Sequence, residues 1–326
     1  MLNTRIKSIA AAVVVALLSA CTSSGTIAPG AQTATQCAPN TSCGTATVTM
    51  SVPVNVATGA GLATTATGSA TALGATTLTM TLDPVAHQPV SATFAGAINT
   101  SVALTQQPLT SLNPGSFTGT AATGQSVLLT SFNSTNLAIG LNGVGLTYAD
   151  FGEWLMQPAT AGAGTATYSV WAAGTQLTAA MPTSGGATYK GITRGISMVA
   201  NTAYQLNGNL TLTASFTATG GSITGNITRI TAATFPNHGM PGTTGITTLT
   251  GGFNDIALAG TINGNAFTGT ATAGVVTSAG PNPAAIAVGT TGTTSGNFYG
   301  PNANEVAGVW SLSTATVQAS GSFGAK

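Results

Sequence analysis

At 326 residues the chain has room for two ordinary domains, or for one large β domain with an attachment. Charged residues make up 3% of it, against roughly a quarter in ordinary soluble proteins, and beyond Arg5 and Lys7 the only basic side chains are Lys190, Arg194, Arg229 and Lys326. That excludes nucleic-acid binding, which draws its affinity from neutralised phosphates, and it excludes electrostatic steering of charged partners.

Arg5 and Lys7 precede an apolar run from Ile9 to Leu18 that is too short to span a bilayer as a helix, and Leu18-Ser19-Ala20-Cys21 follows it. This is the pattern of a lipoprotein signal peptide over residues 1–20. Ser19 and Ala20 are small enough to admit a signal peptidase, and the Cys21 thiol is the group that takes the diacylglyceryl chain. Several acyl chains on one cysteine anchor stably, where a single chain binds reversibly. Thr22 follows, with no Asp there to signal inner-membrane retention, so the expected location is the outer membrane, lipid-anchored and surface-exposed. Ordinary secretion is the alternative.

Residues 21–44 are rich in Thr, Ser, Ala, Pro and Gly without apolar periodicity and read as a flexible tether. Cys37 and Cys43, separated by Ala-Pro-Asn-Thr-Ser, can close a small disulfide loop in an oxidising compartment; two free thiols are the alternative reading. With no His or acid nearby they do not make a metal site.

Thr45 to Ala57 alternates, with Val48, Met50, Val52, Val54 and Val56 on one face, and Ala75 to Leu82 repeats the pattern. Short strands are expected at 90–99, 115–120 and 126–131, with turns at Asp83-Pro84 and Asn113-Pro114. Residues 45–147 thus form a first β-rich domain. From Tyr148 the strand signals become denser: 148–156, 165–171, 187–192, 210–216, 222–229, 256–262, 265–272, 296–299, 305–312 and 319–323. Asn263-Gly264 is the strongest hairpin signal, because both positions of a type I′ turn need positive φ. No helix of more than two turns is expected after residue 45. The fold class is all-β, with a C-terminal eight-stranded antiparallel β-barrel over 148–326, whose closure removes edges that a chain so poor in charge cannot protect. Trp154, Trp171 and Trp310 are expected to fill the barrel core.

The stretch Gly296-Asn297-Phe298-Tyr299-Gly300-Pro301-Asn302-Ala303-Asn304-Glu305 is the most informative. Pro301 fixes φ at the first corner of a turn flanked by Gly300 and Asn302, which tolerate unusual backbone angles. Val306, Gly308, Trp310 and Leu312 then share one strand face. Glu305, one of only five acids, is expected to be hydrogen-bonded in place at the strand start.

Five acids and two histidines are a thin supply for catalysis, no nucleophile elbow or phosphate loop occurs, and the chain is not expected to be an enzyme. Asp150 and Glu153 fall on opposite faces of a strand and cannot act as a pair from it. His238 lies with Phe235 and Met240 in a Gly- and Pro-rich connection between strands, where binding residues often sit. Imidazole, thioether and a stacking aromatic could together take haem; a protein contact or a solvated, inert histidine are the alternatives. No other cofactor and no metal site is expected. A second long connection, 274–292, is apolar around Ala284 to Val288 and either meets a partner or packs over the barrel end. Lys190 and Arg194 read as exposed, solvated charges, with a small positive rim as the alternative.

The turn-and-strand stretch from Gly296 to Trp310 resembles the barrel hairpin of the transferrin-binding protein B family of bacterial surface lipoproteins. Phe151-Gly152-Glu153-Trp154 looks like that family's opening strand, and Met181-Pro182-Thr183-Ser184-Gly185-Gly186-Ala187-Thr188-Tyr189-Lys190-Gly191 like its next turn and strand. Leu212 to Phe216, Asn265 to Gly269 and Gly321 to Lys326 match later strands in the right order. The resemblance implies that residues 45–147 are a handle-like domain and that the protein captures a protein carrying iron or haem. It also implies an outer-membrane lipoprotein translocator as an export partner. The family's large members carry two such lobes where this chain has room for one, and their long host-contacting loops have no equivalent here. A structural or adhesive role, or binding of a complement factor, is the alternative.

Overall fold

The computed structural model describes residues 32–34, 46–58, 70–82, 89–96, 100–106, 115–132, 144–157, 165–174, 176–199, 202–234, 249–280 and 286–326. Among these residues there is no helix, and every strand pairing is antiparallel. The strands fall into two sheets.

The first sheet contains β1 (Gln32–Ala34), β2 (Ala46–Thr58), β3 (Ala70–Leu82), β4 (Pro89–Gly96), β5 (Thr100–Ala103), β6 (Thr105–Gln106), β7 (Ser116–Thr120), β8 (Ser126–Ser131), β9 (Ala149–Gln157) and β10 (Thr165–Gly174). Its order is β5-β4-β3-β2-β10-β9-β8-β7-β6, with β1 on β2. Strands β5 and β6 sit at opposite ends of that order, yet only Leu104 separates them in the chain. The sheet must therefore curl until its edges meet. A Cβ on Gly119 of β7 would collide with the backbone of Ala103 and the side chain of Val102 on β5, which shows how close those edges come. Leu78, Met80, Phe94, Phe117, Leu129, Trp154 and Trp171 fill the inside, where the rings of Phe94 and Trp154 lie 4.7 Å apart.

The second sheet contains β11 (Gly186–Val199), β12 (Thr202–Thr217), β13 (Gly220–Thr234), β14 (Leu249–Gly252), β15 (Ile256–Asn263), β16 (Ala266–Ala273), β17 (Thr291–Tyr299), β18 (Glu305–Ser313) and β19 (Val317–Ala325). The order β12-β11-β19-β18-β17-β16-β15-β13 closes through β12–β13 pairing, giving an eight-stranded barrel with β14 attached to β13. Alternation explains the inside. Val306, Trp310 and Leu312 point into a core shared with Leu206, Leu212, Ile223, Phe267, Phe298 and Phe323. Phe298 lies 5.7–6.0 Å from the rings of Tyr189, Phe216 and Phe267. Outside, a single cross-strand row runs Thr188, Thr213, Thr224, Ala259, Thr270, Thr293, all exposed and none charged.

The all-β reading and the eight-stranded barrel hold, and four expectations need correction. Strands β9 and β10, expected at the start of the barrel, pair with β8 and β2 in the first sheet, so the hydrogen-bonded barrel begins at Gly186 and not at Tyr148. Trp154 and Trp171 accordingly fill the first sheet, and only Trp310 fills the barrel. Gln32–Ala34, read as part of the tether, is a strand paired with Val48 to Met50. The β15–β16 turn is centred on Gly264-Asn265, one residue later than expected; Gly264 alone has positive φ (58°), which suits glycine at the first corner.

Three tyrosines are buried: Tyr168, Tyr189 and Tyr299. Burial pushes the Tyr189 phenol up to about 12 and raises the other two as well. Above pH 10 the unfolded chain gives up phenolic protons that the folded chain keeps, so this stability is full below pH 10 and drains as pH rises toward 12. Melting temperature measured from pH 9 upward should therefore fall, with a shallower fall in Tyr189→Phe; a flat wild-type profile would contradict it.

Candidate functional site

Two places in the fold gather polar chemistry. One is the seam between the first sheet and the barrel wall; the other is the barrel end away from the β17–β18 turn.

At the seam, the turn after Tyr299 brings Glu305 to the first sheet. Gly300 has φ 82°, and the second left-handed residue is Ala303 (φ 54°), where Asn302 was the expected candidate. Ala303 is buried with its carbonyl accepting a 2.7 Å bond from the Tyr189 hydroxyl, which fixes the corner. Glu305 is then held where its Oε1 accepts from the Thr147 amide (2.6 Å) and its Oε2 from the amides of Tyr148 (2.8 Å) and Ala149 (3.0 Å). The expected fixed carboxylate is present, and its partners lie more than 150 residues earlier in the chain. Gly324 of β19 lets the wall approach: a Cβ there would sit 2.5 Å from the Phe151 ring. Tyr299, Ala307 and Val309 of the barrel pack with Phe151, Val170 and Ala172 of the first sheet. The Lys326 ammonium donates to the Gly145 carbonyl at 2.8 Å.

Farther along the same seam Arg194, expected to be solvated, is 9% exposed, while Lys190 is exposed. Arg194 lies with its guanidinium carbon 5.7 Å from the centre of the Phe132 ring. Burial pulls it down to about 10, opposed by the attraction of the Glu153 carboxylate across the seam. Asp150 and Glu153 do face opposite ways on β9. Asp150 accepts from the Ser131 hydroxyl (2.7 and 2.8 Å), whereas Glu153 turns toward the barrel with Phe151.

At the other end, the chain leaves the barrel twice, between Thr234 and Leu249 and between Ala273 and Thr291. Part of the second connection is sewn to the rim. The Asn254 amide nitrogen donates to the Gly274 carbonyl (2.7 Å), and its oxygen accepts from the Ile286 amide (2.9 Å). Ser278 donates to the Ile230 carbonyl, and Asp255 accepts from Thr277 (2.8 Å) and from the Arg229 amide (3.1 Å). Arg229 has φ 54° beside a register shift between β12 and β13, and its side chain is exposed. Ile286 plugs the core, whereas Val275 and Val288 stand 63% and 65% exposed. Of the two readings, the packing one holds for Ile286, which closes over the barrel end, while Val275 and Val288 stay exposed.

Phe235, His238 and Met240 lie outside the described residues, as do Cys21, Cys37 and Cys43. Among the described residues no cluster of three or more His, Cys, Asp or Glu could hold a metal ion, and no helix is long and apolar enough to cross a membrane.

Residues 181–326 match the family model described as the C-lobe and N-lobe beta barrels of Tf-binding protein B. The match covers the barrel found here and leaves out Phe151 to Trp154, in keeping with the place of β9 in the first sheet. No curated protein matches the sequence. Similar solved structures include a mutant transferrin binding protein B of Haemophilus parasuis Hp5 (16% identity, TM-score 0.43, 87% of this chain and 46% of that one). Another is the protein of the same name from serogroup B Neisseria meningitidis (14%, 0.35, 85% and 43%). The N-lobe domain of lactoferrin binding protein B of Moraxella bovis is a third (14%, 0.33, 56% and 77%). This chain spans less than half the length of the first two.

Glu305 offers a direct test of the seam. Glu305→Gln keeps the shape but turns one acceptor into a donor facing amide N–H groups. It should cost about 2–3 kcal/mol, read as a lower urea midpoint, whereas a change within error would remove the carboxylate's structural role.

Proposed function

We propose that this chain, whose residues 181–326 carry the transferrin-binding protein B type of barrel, is a lipid-anchored surface protein of the outer membrane that captures a protein carrying iron or haem. The observation that supports it is the rim: a closed barrel, steadied on one side by the first sheet, sends its two longest connections from a single end. Binding residues commonly lie on such loops, held by a rigid scaffold. The four described carboxylates, Asp150, Glu153, Asp255 and Glu305, each have a partner within the fold, and all but Asp255 are buried, which favours binding over catalysis.

In this reading Cys21 carries the lipid, and an outer-membrane translocator brings the protein to the surface. Cys37 and Cys43 form a disulfide in the segment that joins β1 to β2. Haem is the ligand for which His238 and Met240 supply iron-binding atoms and Phe235 a stacking ring. With hydroxyls outnumbering charges on the barrel wall, where Lys190 and Arg229 are exposed, partner capture depends little on ionic strength.

Pull-down with iron-carrying and haem-carrying proteins, using the delipidated chain, tests the proposal. Retention of such a protein that persists from low salt to roughly 0.5 M is expected, where charge-driven binding would be screened away. Failure to retain any of them would leave the adhesive reading. A Soret shift on haem titration that is lost in His238→Ala would support haem ligation, and no shift would remove it. Labelled fatty acid should enter the wild type and not Cys21→Ala.

A further inference from the structure

The seam between the first sheet and the barrel has two unlike halves. Beside Glu305 it is apolar and close, built from Tyr299, Ala307 and Val309 against Phe151, Val170 and Ala172. Beyond Arg194 it turns polar. Ser322 lies directly across from Arg194 on the β11–β19 pair, and Ser320 is two residues along the same strand. Thr193 and Phe323 alternate with them and point into the barrel, where Thr193 receives the Trp310 indole N–H at 2.9 Å. Arg194, Ser320 and Ser322 therefore point out, toward the first sheet. On that sheet Trp154 and Met156 point into their own core, so Glu153 and Leu155 face the barrel, together with their cross-strand partners Thr130 and Tyr168.

Thr130 Oγ1, Tyr168 OH, Arg194 Nε, Ser320 Oγ and Ser322 Oγ are all buried, and none has a hydrogen-bond partner among the described residues. Folded proteins leave few buried polar groups unsatisfied, and five belonging to one seam call for a common partner. A small anion suits them poorly, because the Glu153 carboxylate already faces Arg194. The other four groups are hydroxyls, able both to donate and to accept. Water does both, and buried water makes two to four such bonds, at a frequency of about one molecule per 27 residues.

We propose that the polar half of the seam is a binding site for ordered water, held between Arg194, Ser320 and Ser322 of the barrel and Thr130 and Tyr168 of the first sheet. The water joins these five groups across the seam, so this half is a wet joint beside a dry one.

The sign of a stability change tests it in the full-length chain. Each of Ser320→Ala, Ser322→Ala and Tyr168→Phe removes an anchor of a bridging water and should lower the melting midpoint by about 2–4 °C. In a dry seam the same change deletes an orphaned hydroxyl, so a midpoint that rises or holds overturns the proposal. Water-selective cross-relaxation measured at the Arg194 Nε–H should show a long-lived water. If that proton reports protein neighbours only, the groups satisfy one another and the site is not there, even when the three variants lose stability.

Discussion

The arrangement of the molecule turns on one carboxylate. Glu305 opens strand β18 and accepts three amide hydrogens from residues 147–149, the segment that leads into β9. Three charge-assisted bonds to consecutive backbone donors fix direction as well as distance, since the amides diverge and only one placement of the oxygens serves them all. The contact comes directly after a turn that needs a glycine at φ 82° and an alanine at φ 54°. A short run of sequence therefore spends two unusual backbone angles on aiming one side chain. With that side chain placed, β9 and β10 lie along the barrel wall and the rest of the first sheet follows them.

This explains what could and could not be read from the sequence. Strand existence was legible almost everywhere, because Val, Leu and Met alternate with Thr and Ser along stretches such as β2 and β3. Sheet membership was not. Periodicity reports that a strand is half-buried, but not which neighbour it pairs with, so β9 and β10 read as barrel strands. A signal was available: Ala149 to Met156 has hardly any alternation, as befits a strand buried on both faces between two cores. Arg194 was misplaced for a related cause. An arginine among threonines looks solvent-facing unless the carboxylate opposite it is known, and Glu153 is over forty residues away. At the candidate rim, the second connection was legible as apolar, but its stitching by Asn254, Asp255 and Ser278 depends on the pairing of β15 with β16 and β13, which periodicity does not report.

The near absence of charge has a physical counterpart in the closed wall. An open sheet this poor in lysine would present unpaired edges for other chains to extend. Closure satisfies those groups internally, and the exposed threonine row leaves a surface that is wetted by hydroxyls instead of ions. Curling of the first sheet until β5 and β6 meet answers the same constraint by a different route.

The pairing of β11 with β19 sets an order on assembly. The barrel's first strand is stitched to its last, from Gly191 with Ala325 to Val199 with Val317. Neighbouring hairpins can zip as soon as their two halves are available, but the ring stays a gaping ribbon until residues 317–325 have been delivered. A chain emerging from its N-terminus must therefore keep the free rims of β11 and β18 shielded from strangers until its final segment arrives, which makes the last rung, rather than the first nucleus, the moment of greatest exposure to misassembly.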